Sequence, residues 1–500
     1  MLTNTKTLYP YQEAALREIF DRFDRAESAL RLVYQLPTGG GKTVIFSAIA
    51  QRFIQDYGQR VLILTHRVEL SKQTSGILTE FGINHITIDR FTQPWEAKDS
   101  PDCYVAMIET LSNRLSDKKF SFEGIGLVIV DEAHHNSFQK IFHRFEQARF
   151  IGVTATPLSS NNKNPMHDFY TELMVGAPIS KLIDDGYLAR AETVHYPVGL
   201  TNLKVGSNGD YTVKSSDELY GSKLMIDKLF EAYKDNAFKK KTLIFNNGIA
   251  TSVGVANYFR KVGIPVEHLD HSATAEERRR ILRWFHKTPG AVVSSVSILT
   301  TGFDEPSVEC IILNRATKSL TLYFQMIGRG SRRIHGKNHF TLIDLGNNVE
   351  RFGPWESPLN WRDVFLHPDF YVQSMRSDEE IEQFMVFELP QAVRQKFKHP
   401  EKFRFDVEAV YHEITRQQLR PKAVLDRSLD NHFEICIESA HSYQEAKALS
   451  LLLFDDIQYR IRSYVRLLGK TTSNYQQWLA DEYLEKLRRL LHQHFRALES

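Results

Sequence analysis

Cysteine is nearly missing from this 500-residue chain: three residues, Cys103, Cys310 and Cys436, stand far apart. That spacing excludes a disulfide framework and a cysteine-rich zinc module. No apolar run approaches the roughly 20 residues of a membrane-spanning helix. The opening Met1-Leu-Thr-Asn-Thr-Lys6 lacks the apolar core of a signal peptide. The expectations are therefore a reducing cytoplasm, no membrane and no zinc. Charge of neither sign prevails: 63 Lys and Arg against 61 Asp and Glu leave a net +2. A polyanionic partner would meet a local groove, not a uniformly basic body. Low-complexity tracts and short internal repeats are missing too. What remains is ordinary globular composition, 42% hydrophobic and 25% charged. A chain of this length exceeds one core and suggests about three domains.

The most informative stretch is Leu32-Val-Tyr-Gln-Leu-Pro37-Thr38-Gly39-Gly40-Gly41-Lys42-Thr43. An apolar run breaks at a proline, passes through three glycines and becomes helix-compatible at Lys42. A strand that turns through glycines into a helix presents backbone N–H groups and a positive dipole end to one point, which suits phosphate. Lys42 adds a cation for the β and γ phosphates, and the Thr43 hydroxyl is placed to hold Mg²⁺. The expected cofactors are ATP and Mg²⁺. Upstream, Gln12 stands about thirty residues before Lys42; its carboxamide donates and accepts, which matches the edge of adenine.

Short continuous apolar runs follow at 61–66, 104–108, 126–130 and 150–153, separated by helical patterns. They read as buried parallel strands of an α/β sheet. Polar residues cluster at their carboxyl ends, where such sheets bind ligands: Thr65-His66-Arg67, Thr110, Asp131-Glu132-Ala-His134 and Thr154-Ala-Thr156. A second series after Lys239-Lys-Lys241 makes another α/β unit without a glycine-rich loop. Ser207-Asn-Gly209, flanked by Leu203-Lys-Val and Asp210-Tyr-Thr-Val213, predicts a β-hairpin. From about Arg351 the pattern turns helical, over 379–386, 446–465 and 478–498. The last segment aligns Tyr483, Leu484, Leu487, Leu490, Leu491, Phe495 and Leu498 on one stripe. That stripe either closes a helical domain on itself or meets a protein partner. The expected domains are residues 1–222, with the hairpin near 203–213, then 223–350, then a helical accessory domain over 351–500.

Asp131 and Glu132 directly follow a buried strand, so one carboxylate can complete a Mg²⁺ shell while its neighbour orients and deprotonates water. Asp131 is assigned to the metal and Glu132 to the water. Phosphoryl transfer also needs positive charge at the γ-phosphate. Arg329 and Arg332 of Gln325-Met-Ile-Gly-Arg329-Gly-Ser-Arg332 are three apart, and lie in the unit that lacks a phosphate loop. That suits arginines offered across a cleft.

Taken in order, Tyr-Gln12, Pro-Thr-Gly-Gly-Gly-Lys-Thr43, Thr-His-Arg67, Asp-Glu-Ala-His134, Thr154-Ala-Thr-Pro157, Leu299-Thr-Thr-Gly-Phe-Asp304 and Gln325-x-x-Gly-Arg-x-x-Arg332 resemble superfamily 2 helicases of the DEAD/DEAH-box type. The resemblance covers about residues 8–350, is closest to bacterial RadD-like proteins, and has the XPB-like and restriction-motor branches nearby. It implies two tandem RecA-like parallel-sheet lobes. Gln12 would read adenine; Thr65, His66, Arg67 and Thr110 would contact the nucleic-acid backbone from the first lobe, and Asn246 and Thr301 from the second. His134, Thr154 and Thr156 would couple hydrolysis to lobe closure. Gly302 and Asp304 would touch the nucleotide, with Gln325, Arg329 and Arg332 completing the ATP site. Three departures stand out. Leu36 replaces the first glycine of the strict phosphate-loop pattern, a position this superfamily relaxes. Tyr9 replaces a frequent arginine, and the cysteine-rich C-terminal module of RadD-like proteins is absent.

The function these residues imply is a nucleic-acid-dependent ATPase that unwinds or translocates on DNA. The alternatives are an RNA helicase, or a nucleotide-gated subunit of a repair or defence complex that does no unwinding itself. Between Asp304 and Gln325 there is no room for a long strand-separating hairpin, so a wedge is expected from 203–213 or from the C-terminal region.

Overall fold

The computed structural model describes residues 7–26, 30–93, 100–115, 122–159, 164–300, 303–383, 389–403, 405–417, 419–468 and 473–499. Contacts divide the chain into two units, Met1–Gln383 and Phe384–Ser500.

The first unit holds two parallel sheets. The strands are β1 (Arg31–Gln35), β2 (Arg60–Thr65), β3 (His85–Ile88), β4 (Cys103–Met107), β5 (Ile125–Asp131), β6 (Arg149–Thr154), β7 (Glu172–Val175), β8 (Arg190–His195), β9 (Thr242–Asn246), β10 (Val266–Leu269), β11 (Val292–Val296), β12 (Cys310–Asn314) and β13 (His339–Asp344). The first sheet runs β3-β4-β2-β5-β6-β1-β7 and the second β10-β11-β9-β12-β13-β8. The apolar runs become central strands because helices cover both faces: β9 and β12 are buried along their whole length. The phosphate loop leaves β1, flanked by β6 and the edge strand β7, and the carboxylate pair leaves β5 two strands away.

Two boundaries differ from the sequence expectation. Residues 190–195 pair with β13, from Arg190↔His339 to Asp344↔His195, so the second lobe begins at β8 and not after 222. It is the edge strand of its sheet, with one buried residue, Ala191, and an apolar-run criterion passes over it. Helices Asn348–Phe352, Trp361–Leu366, Pro368–Ser374 and Asp378–Gln383 belong to the first unit, which places the compact helical unit after 383 instead of after 350.

The hairpin at 203–213 shrinks to a single bridge, Val205↔Tyr211, before helix Val213–Tyr220. Its tip is fastened to the second lobe. Asp210 accepts from Arg315 at 3.1 Å, the Thr317 hydroxyl at 2.7 Å and the Lys318 amide at 2.8 Å. Tyr211 donates to Asp378, which also pairs with Arg351. With Arg315 buried on that carboxylate, the C-terminal side of the turn is anchored, while Ser207, Asn208 and Gly209 are exposed.

In the second unit, helices Ala423–Ser439, Tyr443–Leu452, Phe454–Leu468 and Ser473–Glu499 enclose one core. Tyr483, Leu487, Leu491 and Phe495 are buried in it, Leu484 and Leu490 are partly buried, and Leu498 is exposed. The stripe thus closes on its own unit. The helical run expected over 446–465 is two helices, parted at Leu453. Among the described residues, no helix is long and apolar enough to cross a membrane, and no group of three His, Cys, Asp or Glu could hold a metal ion.

Candidate active site

The loop 36–41 closes on itself through Gly40 N–H to Pro37 O at 3.0 Å, and Val44 N–H to Gly41 O at 3.0 Å begins the helix Lys42–Tyr57. Gly39 and Gly41 have φ of +88° and +78°, a region that favours glycine. The Thr38 hydroxyl oxygen is buried without a hydrogen-bond partner. Helix Pro10–Arg25 leans on this loop: the Tyr11 hydroxyl donates to Gly40 O at 2.8 Å and Gln12 Nε2 to the same oxygen at 3.4 Å. Gln12 Oε1 accepts from Tyr9 N–H at 3.0 Å. Gln12, expected at the adenine, is here buried against the phosphate loop, and Tyr11 joins it as a contact the sequence reading missed. The rings of Tyr9 and Tyr11 gather on Tyr187, with centroids 4.6 and 5.0 Å from it.

β5 delivers Asp131 and then turns sharply. Glu132 has φ of +51°, left-handed for a non-glycine residue, a conformation that costs on the order of 1–3 kcal/mol and gathers at functional sites. The turn sets Glu132 Oε1 4.0 Å from Lys42 Nζ and Oε2 3.4 Å from His134 Nδ1, while Asp131 Oδ1 accepts the Glu132 amide at 3.0 Å. Burial and the neighbouring Glu132 push the Asp131 carboxyl up to about 7. Burial also acts to raise Glu132, but Lys42 and the three histidines 134, 66 and 135 outweigh it and hold it down at about 2. An isolated buried carboxylate is costly as an anion. Asp131 and the Thr43 hydroxyl are hard oxygen donors of the kind Mg²⁺ takes. The residues present fit the metal.

From this point a chain of hydrogen bonds leads to the second lobe. Thr154 Oγ1 donates to Thr156 O at 3.0 Å and accepts from Thr156 N–H at 3.1 Å. Its remaining contact, His134 Nδ1 at 2.9 Å, is then filled by an N–H. That agrees with a neutral ring: burial lowers His134 to about 3, against the pull of Glu132. Thr156 Oγ1 donates to Thr321 Oγ1 at 2.8 Å, on the helix Leu320–Ile327 that also carries the buried Gln325. Thr321 is a partner that no motif announced. The lobes also meet at the phosphate loop, where a Cβ on Gly39 would stand 2.7 Å from Ser331 Oγ.

The two arginines are engaged within their own lobe. Arg329 is buried and donates to Thr300 O through Nε at 3.1 Å and Nη2 at 2.5 Å, and to Phe303 O through Nη1 at 2.7 Å. Arg332 pairs with Asp304, the expected nucleotide contact. Burial lowers both guanidinium groups to about 10.

The expected nucleic-acid contacts separate. Asn246 is buried among β11, β9 and β12, giving Nδ2 to Ser294 Oγ at 3.0 Å and receiving Asn314 Nδ2 at 2.7 Å, so it offers no free face to a strand. Thr65 is buried too, its hydroxyl 2.6 Å from Ser71 Oγ. In this structure both side chains at these strand ends are satisfied by their neighbours. His66 and Arg67 are half-buried; the His66 ring lies 4.4 Å from that of His135, with neither nitrogen hydrogen-bonded. Thr110 sits half-buried in the first turn of helix Ile108–Leu115. Thr301 and Gly302 lie outside the described residues. Across the lobes, Arg278 pairs with Glu69 at 2.5 Å, two residues after Arg67.

Residues 5–159 match the family of the type III restriction enzyme res subunit, and residues 224–333 match the helicase conserved C-terminal domain. The two matches together are consistent with a superfamily 2 helicase of the restriction-motor branch. A Saccharomyces cerevisiae protein provisionally named the ATP-dependent helicase IRC3 is 31% identical over 336 residues, covering 63% of this chain and 48% of that protein. The ATP-dependent DNA helicase uvsW of Enterobacteria phage T4 is 22% identical over 359 residues, covering 69% of this chain and 70% of the relative. The chain spans about half the length of this yeast relative. Among solved structures, the fragment of a provisionally assigned HsdR subunit of a type I restriction enzyme from Vibrio vulnificus YJ016 has a TM-score of 0.54 at 23% identity, over 68% of this chain and 64% of that one, a likeness of fold.

Proposed function

We propose that this superfamily 2 chain hydrolyses ATP and uses the closure of its two lobes to move along or open DNA. The observation that carries the reading is the continuous path Lys42–Glu132–His134–Thr154–Thr156–Thr321, which joins the phosphate loop to the second lobe through contacts of 2.8–4.0 Å. Backbone amides of the phosphate loop and Lys42 bind the β and γ phosphates. Asp131 and Thr43 would hold Mg²⁺, whose charge would offset that developing on the phosphates. Glu132 orients water and accepts its proton as the water oxygen bonds to the γ-phosphorus and the bond to the β–γ bridging oxygen breaks. Glu132 is a weak base while Lys42 and the histidines hold its charge. Phosphates that draw Lys42 away raise its basicity when it is needed. Arg332 leaves Asp304 to meet the γ-phosphate. The half-buried His66, Arg67 and Thr110 contact phosphates without regard to base identity. DNA is favoured because the relative in phage T4 is named a DNA helicase and the family match is to a restriction subunit. Three free buried cysteines suit a reducing compartment such as the cytoplasm.

The test is steady-state ATPase with single-stranded DNA, duplex DNA and RNA in parallel, for wild type and Arg332→Ala. DNA should stimulate the wild type, and the variant should lose about 10³-fold of the stimulated rate. Full turnover without nucleic acid, or a variant that is stimulated normally, sinks the shared-site reading.

A further inference from the structure

The turn after helix Leu320–Ile327 is held by one side chain outside every motif named above. Lys337 is buried, and its ammonium donates to three backbone carbonyls: Gly330 at 2.7 Å, Arg332 at 2.9 Å and Pro306 at 2.9 Å. An ammonium carries three protons, and all three are used. Two of the acceptors flank Ser331, the residue packed on Gly39 of the phosphate loop. The third lies two residues after Asp304, the partner of Arg332. Arg329 ties the same turn to Thr300 and Phe303. The arginine-bearing turn and the stretch around Asp304 are thus clasped twice, by Arg329 and by Lys337. A planar guanidinium cannot converge three protons on three carbonyls around one atom; a compact ammonium can.

We propose that Lys337 is a positioning residue for ATP hydrolysis: by fixing the carbonyls of Gly330, Arg332 and Pro306 it sets the place from which Arg332 reaches the γ-phosphate. The inference rests on the ATPase reading above. The charges facing the ammonium are Glu309 and Glu305, which favour it, and Arg332, which opposes it. Glu305 is itself occupied by His286 Nδ1 at 2.8 Å and Ser307 Oγ at 2.5 Å, Glu309 by the Lys241 amide at 2.9 Å, and Arg332 by Asp304. Burial outweighs the two glutamates and brings Lys337 down to about 8. As pH rises through that value the group loses a proton, one carbonyl loses its donor and the clasp loosens.

Lys337→Met keeps the side-chain length and removes the three donors. Its DNA-stimulated kcat should fall about 10²-fold, the scale of an ångström-sized misplacement of a reacting group, with KM for ATP unchanged. Wild-type kcat should decline above a pH of about 8, and that alkaline limb should vanish in the variant. Lys337→Gln, which retains two N–H donors, should fall between the two and carries the test where the methionine variant fails to fold. Arg332→Ala in the same assay separates the outcomes. A wild type without stimulation, or a normal Arg332→Ala, overturns the ATPase reading. A slow Arg332→Ala beside normal Lys337 variants overturns the positioning role alone. So does a KM that rises in step with the loss of kcat, or an alkaline limb that survives in the variants.

Discussion

Each unit buries a histidine beside a carboxylate, and the two pairs differ in how completely their neighbours answer them. In the C-terminal unit, His432 lies 2.7 Å from Asp456 Oδ2 and 2.8 Å from the Tyr483 hydroxyl. Arg460 pairs with the same carboxylate at 2.7 Å and donates to Asn431 at 2.9 Å. Ser428 lies 2.9 Å from the Tyr483 hydroxyl, and only Arg460 Nε in this group lacks a partner. Around His134 and Glu132, by contrast, Glu132 Oε2, Thr38 Oγ1 and both His66 nitrogens are buried without a hydrogen bond. Each such atom costs about 1–3 kcal/mol. The closed network spends nothing further and fixes one packing of four helices. The open one keeps donors and acceptors for something that arrives.

The comparison can be broken most forcefully at Glu132. Glu132→Gln should lower single-turnover hydrolysis about 10³-fold while equilibrium ATP binding persists, since only the base is lost. Equal losses of affinity and rate would place Glu132 among the binding groups instead. The mirror experiment is Asp456→Asn, which leaves the buried Arg460 charge uncompensated. It should destabilise the C-terminal unit by about 3 kcal/mol, read from hydrogen exchange across Ala423–Ser439 in the full chain. Turnover of the folded protein should hold; a collapse of ATPase comparable to that of Glu132→Gln would make the second cluster catalytic and erase the distinction. The finest probe is Thr321→Val, an isosteric change that removes the bond to Thr156. A net hydrogen bond of about 0.5–1.5 kcal/mol implies a threefold to tenfold lower stimulation by DNA. Unaltered stimulation would mean that the lobes communicate by another route.

What the sequence made legible was local. Gly39, Gly41 and Lys42 lie within four residues of one another, and the runs at 61–64 and 126–130 carry no polar side chain, so spacing and composition suffice. What it hid depends on the sheet. Asn246, Ser294 and Asn314 satisfy one another across three strands that are distant in sequence, which turned an expected strand contact into a core residue. Strand β8, Arg190-Ala-Glu-Thr-Val-His195, is mostly polar along a sheet edge and so resembled linker. Lys337, in the polar run Ile334-His-Gly-Lys-Asn338, carries no signal at all. Its three acceptors come together only through the return of the chain.

The chain passes from one lobe to the other at 186–189, and this crossing is stitched to the chemistry. Ala189 N–H donates to Ser331 O at 2.7 Å, Leu188 bridges to Arg332, and a Cβ on Gly39 would stand 3.0 Å from the Leu188 side chain. An axle that runs through the nucleotide's seat has a mechanical meaning. Rotation about it moves Gly39 and Arg332 least and moves β3 and β10, the far edges of the two sheets, most. Under the proposed lobe closure, a small rearrangement of a phosphate between Lys42 and Arg332 would reach the rim as a longer stroke.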